Sequence, residues 1–285
     1  MFEGWHIKTK HNNKEIIWII KGYEHPKEGF ISIPYRISGK RVNINEIYEE
    51  IKDYYLYLDC VGKEVPVVKR NEILKYYDPK EIFIKNVNIL PKNIIELVEF
   101  LKVEYAGLVG SYLLGYQKKN SDVDLILYGN NNEIYENLLQ MKREGLIFNC
   151  IDRYDKVSDT MTRSEYELFA QRRVLDSCYK GIPYTIRILR QIYSEECRSI
   201  YKTLKSFKGE IEIYDNKENF LVPSIYLANS IDLGKVEIMT WHTRYMELPL
   251  GRYYIEGVVQ LNVKDNRLIV VPDQGGRIDP IEIWS

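Results

Sequence analysis

Apolar and polar positions change rhythm three times along this chain. In the first stretch, residues 15–21 and 30–37 are dense in β-branched and aromatic side chains, and Gly22, His25, Pro26 and Gly29 between them supply turn chemistry. That pattern predicts a β-hairpin. Over residues 45–57 the apolar residues Ile47, Tyr48, Ile51, Tyr54 and Tyr55 recur at three and four, predicting a helix ahead of a loop that holds Gly62 and Pro66. A second short helix over 72–77 is expected to stop near Asp78-Pro79.

The rhythm shifts at Leu90-Pro91. Pro91 suits a first helical position, and Ile94, Ile95, Val98 and Leu101 form one apolar stripe. Strand and helix patterns then alternate, with strands at 105–109 and 122–128 and a helix at 133–143 closed by Gly145. Thr162 and Glu165 fit a capping box, which starts a helix expected to run over 163–179 until Gly181, before a strand at 182–189. Beyond residue 199 the pattern is that of strands again, at 209–214, 220–227, 252–263 and 267–271. The expectation is an α+β chain in three parts: a β-rich region with short helices over 1–89, a mixed core over 90–198, and an antiparallel, OB-like β domain over 199–285.

Composition narrows the function classes. With 285 residues, 45% hydrophobic and 28% charged, the chain is neither disordered nor fibrous. Forty Lys plus Arg against forty-one Asp plus Glu leave a formal charge of −1, so any pull on nucleic acid must come from a local patch. Residues 1–10 alternate without a charged stretch followed by an apolar run, and the longest apolar run, 16–20, is far short of a membrane span of ~20 residues. A cytoplasmic protein with no membrane partner is expected. Cys60, Cys150, Cys178 and Cys197 make no CxxC pair, which favours four buried thiols over a zinc ribbon or a disulfide scaffold.

Candidate chemistry concentrates between Gly107 and Gly129. A short apolar strand leads into Gly110-Ser111, and ten residues later comes Asp122-Val123-Asp124-Leu125-Ile126. Gly110 permits close approach of a ligand to the backbone. If Ser111 opens a helix through Leu114, its amide and hydroxyl face outward at the positive dipole end, where a triphosphate is held. On the next strand Asp122 and Asp124 point one way while Val123 and Leu125 point into the core. Paired carboxylates repel unless a cation sits between them, and all-oxygen ligation suits Mg²⁺.

Gly110-Ser111 followed by Asp122-Val123-Asp124 resembles the signature of the DNA polymerase β-like nucleotidyltransferase superfamily. Segments at 21–26 (KGYEHP), 76–83 (YYDPKEIF) and 164–173 (SEYELFAQRR) also resemble an archaeal family of predicted nucleotidyltransferases across nearly the whole chain. The resemblance implies a nucleotidyltransferase core between flanking domains, with NTP as substrate, Asp122 and Asp124 as catalytic metal ligands, one or two Mg²⁺ ions, and Gly110 and Ser111 at the triphosphate.

It also implies a third carboxylate from a later strand, and there the pattern departs. The strand at 182–189 has Arg187 where an acid is expected; arginine holds phosphate but not Mg²⁺. Asp176, Asp152 and Asp155 are the substitutes, read as helix or loop residues.

Other features carry two readings each. Residues 163–208 hold ten Lys/Arg against five acids, either a phosphate or nucleic-acid track with Arg172, Arg173 and Arg187 or a solvated face. Lys118 and Lys119 lie between the serine and the carboxylates, as phosphate contacts or plain loop charges. Trp241, Arg244, Tyr245, Arg252, Tyr253 and Tyr254 interleave aromatic and basic groups, as single-strand binders or as barrel core and rim. His6, His11, His25 and His242 have no metal-ligand spacing, and no Walker, GxGxxG or GxSxG motif occurs. Three functions stay open: an Mg²⁺-dependent nucleotidyltransferase acting on a hydroxyl acceptor, a catalytically impaired binder of nucleotide or nucleic acid, and an interaction protein with a vestigial phosphate site.

Overall fold

A computed structural model of the chain describes residues 3–118, 121–158, 161–273 and 275–284; Lys119 lies outside the described residues. Among the described residues, three large sheets succeed one another along the sequence, and a small two-stranded sheet joins residues 24–25 to 195–196. The first is built from β1 (His6–His11), β2 (Lys14–Ile20), β3 (Gly29–Ile37), β4 (Tyr55–Leu58), β5 (Lys63–Lys69) and β6 (Lys75–Tyr77), in the order β4-β5-β3-β2-β1-β6. The expected hairpin is the β2–β3 pair. Ile7, Ile16, Trp18, Ile20, Phe30 and Val68 form its buried core, and the Trp18 Nε1–H donates to Thr9 Oγ1 at 2.8 Å.

Three expectations fail here. The helix over 45–57 is reduced to a turn at Tyr48–Ile51 flanked by 3₁₀ turns, the segment over 72–77 contains β6, and Pro66 lies in β5 rather than in a loop. The first two segments supply the edge strands β4 and β6, where pairing with a neighbour's N–H and C=O groups overrides a weak helical period, while Pro66 lies inside the sheet, opposite Tyr55 of β4.

α1 (Pro79–Asn86) follows, and then the central unit, with α2 (Lys92–Phe100), β7 (Tyr105–Leu108), α3 (Gly110–Leu114), β8 (Val123–Tyr128), α4 (Asn131–Arg143), β9 (Ile147–Phe148), α5 (Arg163–Ala170), β10 (Asp176–Tyr179) and β11 (Ile182–Leu189). Asp78-Pro79, expected to end a helix, instead starts α1: the Asp78 carboxylate accepts from the Lys80 and Glu81 amides, and proline suits the first turn. The strands order as β9-β10-β11-β8-β7, with β8 and β11 parallel. Val123, Leu125, Leu127, Tyr184, Ile186 and Ile188 bury one face against Ile94, Leu97, Leu138 and Met141 of α2 and α4. That leaves Asp124, Ile126, Thr185 and Arg187 on the opposite face.

The capping box of Thr162 and Glu165 is present, but the helix it starts ends at Ala170 rather than at residue 179. Residues 176–179 turn at Lys180-Gly181, both at positive φ, and pair with β11 as a hairpin.

The last unit contains β12 (Tyr201–Glu218), β13 (Leu221–Val222), β14 (Ser224–Ser230), β15 (Gly234–Thr240), β16 (Gly251–Asn262), β17 (Arg267–Val271) and β18 (Arg277–Ile283). β12, β14, β15, β17 and β16 pair in that order, and β16 pairs back with β12, so five strands close a ring around Ile211, Ile213, Tyr226, Ile238, Tyr253 and Val270. β13 leaves the ring and joins β11 of the central sheet. β15 and β18 had no counterpart in the sequence pattern.

The four cysteines are not thiols. Cys60 bonds to Cys197 and Cys150 to Cys178, with Cα atoms 5.5 and 5.8 Å apart. Their partners lie 137 and 28 residues away, a proximity that spacing cannot reveal. Among the described residues no helix is long and apolar enough to cross a membrane.

Candidate active site

Strand register assembles the carboxylates. Asp124 of β8 lies opposite Thr185 of β11, and Thr185 lies opposite Asp176 of β10. Directly opposed residues share a sheet face, so the three side chains form one row. Asp122 sits two residues before Asp124, at the entrance to β8. Thr185 Oγ1 donates to Asp176 Oδ1 at 3.3 Å.

The Gly-Ser turn abuts this row. Gly110 has φ +65, and a Cβ built on it would run into the Asp124 carboxylate, so any other residue is strained there and displaces that carboxylate. The Val109 amide donates to the Asp124 carbonyl at 3.0 Å, fixing the turn against β8. Ser111 follows in the first turn of α3. The two halves of the motif, ten residues apart in sequence, therefore touch.

Asp176 was considered only as a helix or loop substitute for the missing third acid, yet it opens a strand beside β11. The legible signal was the apolar pair Val174-Leu175 ahead of it and the Lys180-Gly181 turn behind it, together a hairpin with 182–189. Asp152, by contrast, binds Arg163 at 2.6 Å on the surface, and Asp155 is exposed.

One residue had no sequence signal. Arg153 reaches into the carboxylate row: its Nη2 is 3.2 Å from Asp122 Oδ2, its Nη1 forms an ion pair with Asp176 Oδ1, and the same Nη1 donates to Thr185 Oγ1 at 3.0 Å. Its side chain is 11% exposed.

A second cluster pins the strand that carries Asp176. Glu247, in the last unit, is buried and accepts from the Val174 and Leu175 amides at 2.9 and 3.2 Å. Arg173 Nε lies 3.7 Å from Glu247, and Arg173 also donates to the Thr243 carbonyl. Burial pushes the Glu247 carboxyl above its ordinary value, with Arg173 and the two amides pulling the other way; burial likewise lowers Arg173.

Arg187 shares the face of the site and pairs with a buried acid from the start of the chain. It lies two residues along β11 from Thr185, and its Nη1 is 3.3 Å from Glu3 Oε1. Glu3 is fully buried and also accepts from Lys21 Nζ at 2.8 Å and the Gly22 amide at 2.6 Å. Burial raises the Glu3 carboxyl, but Lys21 and Arg187 outweigh it and hold the group below its ordinary value. Arg187 thus anchors the N-terminal segment to the sheet.

The basic stretch over 163–208 does not form one track. Arg163 pairs with Asp152 and Glu167, Lys180 with Glu96, Arg190 with Glu218 and Lys208 with Glu256, on separate elements. The aromatic and basic series of the last unit is core and rim: Tyr245 and Tyr253 are buried inside the ring and Arg252 pairs with Glu282. His6 and His25 are buried, and burial lowers them to about 3 and about 4.

Residues 91–178 match the family model of the nucleotidyltransferase domain. Gly110, Ser111, Asp122, Asp124, Arg153 and Asp176 all fall inside the matched span. No curated protein and no solved structure matches the chain.

Proposed function

We propose that this protein is a Mg²⁺-dependent nucleotidyltransferase that moves a nucleoside monophosphate from an NTP to a hydroxyl acceptor. The observation that carries the reading is the convergence of Asp122, Asp124 and Asp176 beside the Gly110-Ser111 turn, within a span that matches the nucleotidyltransferase domain. The donor set is all carboxylate oxygen on one sheet face, which fits Mg²⁺. When bound, Mg²⁺ supplies neutralisation of the charge that develops on the α-phosphate and the leaving pyrophosphate.

The chain's own residues do the remaining work. Ser111 offers an amide and a hydroxyl to the triphosphate, and Gly110 lets the phosphates approach the backbone. Asp176 would take the proton of the acceptor hydroxyl on a carboxylate oxygen, with Thr185 orienting it through the 3.3 Å hydrogen bond. Holding nucleotide and acceptor in line turns a bimolecular attack into a local one. The three-part organisation over 1–89, 90–198 and 199–285 and the kinship with the archaeal predicted nucleotidyltransferases belong to this reading, as does a cytoplasmic setting.

A second reading has an observation of its own. The Arg153 guanidinium bridges Asp122 and Asp176; held there permanently, it makes the core a nucleotide binder without turnover.

The test is thermal unfolding of wild type, Asp122→Asn, Asp124→Asn and Asp176→Asn with each NTP, with and without Mg²⁺, alongside pyrophosphate release. Ligand at ~100 times its dissociation constant stabilises the native state by about 2.7 kcal/mol. The transferase reading expects metal-dependent stabilisation and pyrophosphate release in wild type, with release lost in each variant. Undiminished release in all three variants refutes it; NTP stabilisation without release favours the binder.

A further inference from the structure

We infer that Arg153 is a displaceable internal counter-cation, which bridges Asp122 and Asp176 of the carboxylate cluster without metal and competes with the divalent ion for their oxygens. The inference rests on the metal site proposed above and deepens it.

Asp122, Asp124 and Asp176 place three negative charges on one patch of sheet. Such a cluster repels itself. Arg153 answers that repulsion from across the patch: one arm of its planar guanidinium contacts Asp122 and the other contacts Asp176 and Thr185. A divalent ion seeks these same carboxylate oxygens, and they cannot serve the cation and the guanidinium in full at once. A cation that takes Asp122 Oδ2 and Asp176 Oδ1, the two oxygens Arg153 now contacts, therefore displaces the guanidinium.

The surroundings confine that departure to the side chain. The Arg153 amide donates to Tyr166 Oη at 2.8 Å, and the preceding Asp152 binds Arg163 and the Tyr154 amide. Cys150, three residues before Arg153, is bonded to Cys178, two residues after Asp176. The backbone on both sides of the contact is thus tied down, whereas the guanidinium needs only rotation about its own bonds. A freed arginine is also suited to a phosphate arriving with the metal, through two parallel N–H···O bonds.

The sign of one measurement separates this role from a structural one. Mn²⁺ is titrated into the full-length, unreduced protein without nucleotide, and affinity is read by calorimetry or by electron paramagnetic resonance of free Mn²⁺. Were the guanidinium-engaged state nine-tenths populated, removing it would tighten apparent metal binding about tenfold. Arg153→Met should therefore bind Mn²⁺ about tenfold tighter or better. Arg153→Lys, which keeps the charge but not the fork, should fall between that variant and wild type, and the gain should vanish in Arg153→Met/Asp176→Asn. An arginine that merely props up the site gives the opposite sign, because its loss scatters the ligands: equal or weaker binding by Arg153→Met overturns the inference while wild type still binds. Absence of Mn²⁺ binding in every protein overturns the metal site and the inference with it. Circular dichroism and thermal unfolding check each fold, and if Arg153→Met does not fold, the same comparison is read from Arg153→Lys and Arg153→Gln.

Discussion

Replacing Glu247 with alanine should cost more than any surface change in this chain, and its size follows from what the carboxylate touches. Glu247 is 7% exposed, accepts two backbone N–H bonds at 2.9 and 3.2 Å, and faces the buried guanidinium of Arg173 at 3.7 Å. Truncation leaves the Val174 and Leu175 amides without an acceptor and Arg173 with only Asp176, at 3.9 Å, as an acidic neighbour. Breaking a buried pair by removing one partner costs about 3–5 kcal/mol, and each unsatisfied buried amide roughly 1–3 kcal/mol; the two overlap here because one carboxylate serves both. The expected loss is about 3–5 kcal/mol, a large share of a typical stability of about 5–15 kcal/mol. Urea unfolding followed by tryptophan fluorescence and far-ultraviolet circular dichroism measures it, provided the denaturant slope is unchanged. The effect should reach the candidate site, because the freed amides immediately precede Asp176: Mn²⁺ affinity should fall in the same variant under conditions where it is still folded. A loss below about 1 kcal/mol, the value for an ordinary hydrogen bond, would refute the reasoning.

Four further outcomes are expected. Gly110→Ala should lose roughly 1–2 kcal/mol from its left-handed backbone and also push the Asp124 carboxylate aside, so Mn²⁺ binding should drop while thermal unfolding stays cooperative; unchanged metal affinity would show that Gly110 does not set the position of Asp124. Thiol titration of the denatured, unreduced protein should find no reactive cysteine, against four after reduction. Cys60→Ser/Cys197→Ser, which opens a closure spanning 137 residues, should lower stability by about 3–5 kcal/mol in urea. His6 is lowered by burial to about 3, so its contribution is full above the unfolded value and is lost as pH falls from about 6.5 towards 3, at about 1.4 kcal/mol per unit. His6→Gln should therefore show a shallower loss of stability between pH 6.5 and 4.5 than wild type, and parallel slopes would contradict a buried neutral imidazole.

Local chemistry alone determined a good part of this protein. The β2–β3 hairpin, the capping box at Thr162 and the apolar stripe of α2 are written in neighbouring residues, because turn propensity, capping and periodic burial act over a few positions. The candidate motif of Gly110, Ser111, Asp122 and Asp124 is local in the same way: a strand, a short helix and a strand in succession. What the sequence left open was decided by pairing between distant segments. Asp176 became a carboxylate of the site only because β10 lies against β11 and β11 against β8, a register set by long-range hydrogen bonds rather than by the helical pattern of its own neighbours. Arg187 pairs with Glu3, a buried acid from the far end of the sequence that no reading of its own neighbours could supply. Arg153 and Glu247 lie in segments without periodicity or motif, and tertiary packing alone brings one onto the carboxylates and the other behind Asp176. Part of the charge excess over 163–208 is met likewise by acids that folding brings in from elsewhere, as at Lys180, Arg190 and Lys208. A charge or a carboxylate acts through the groups within a few ångströms of it, and those neighbours are fixed by topology.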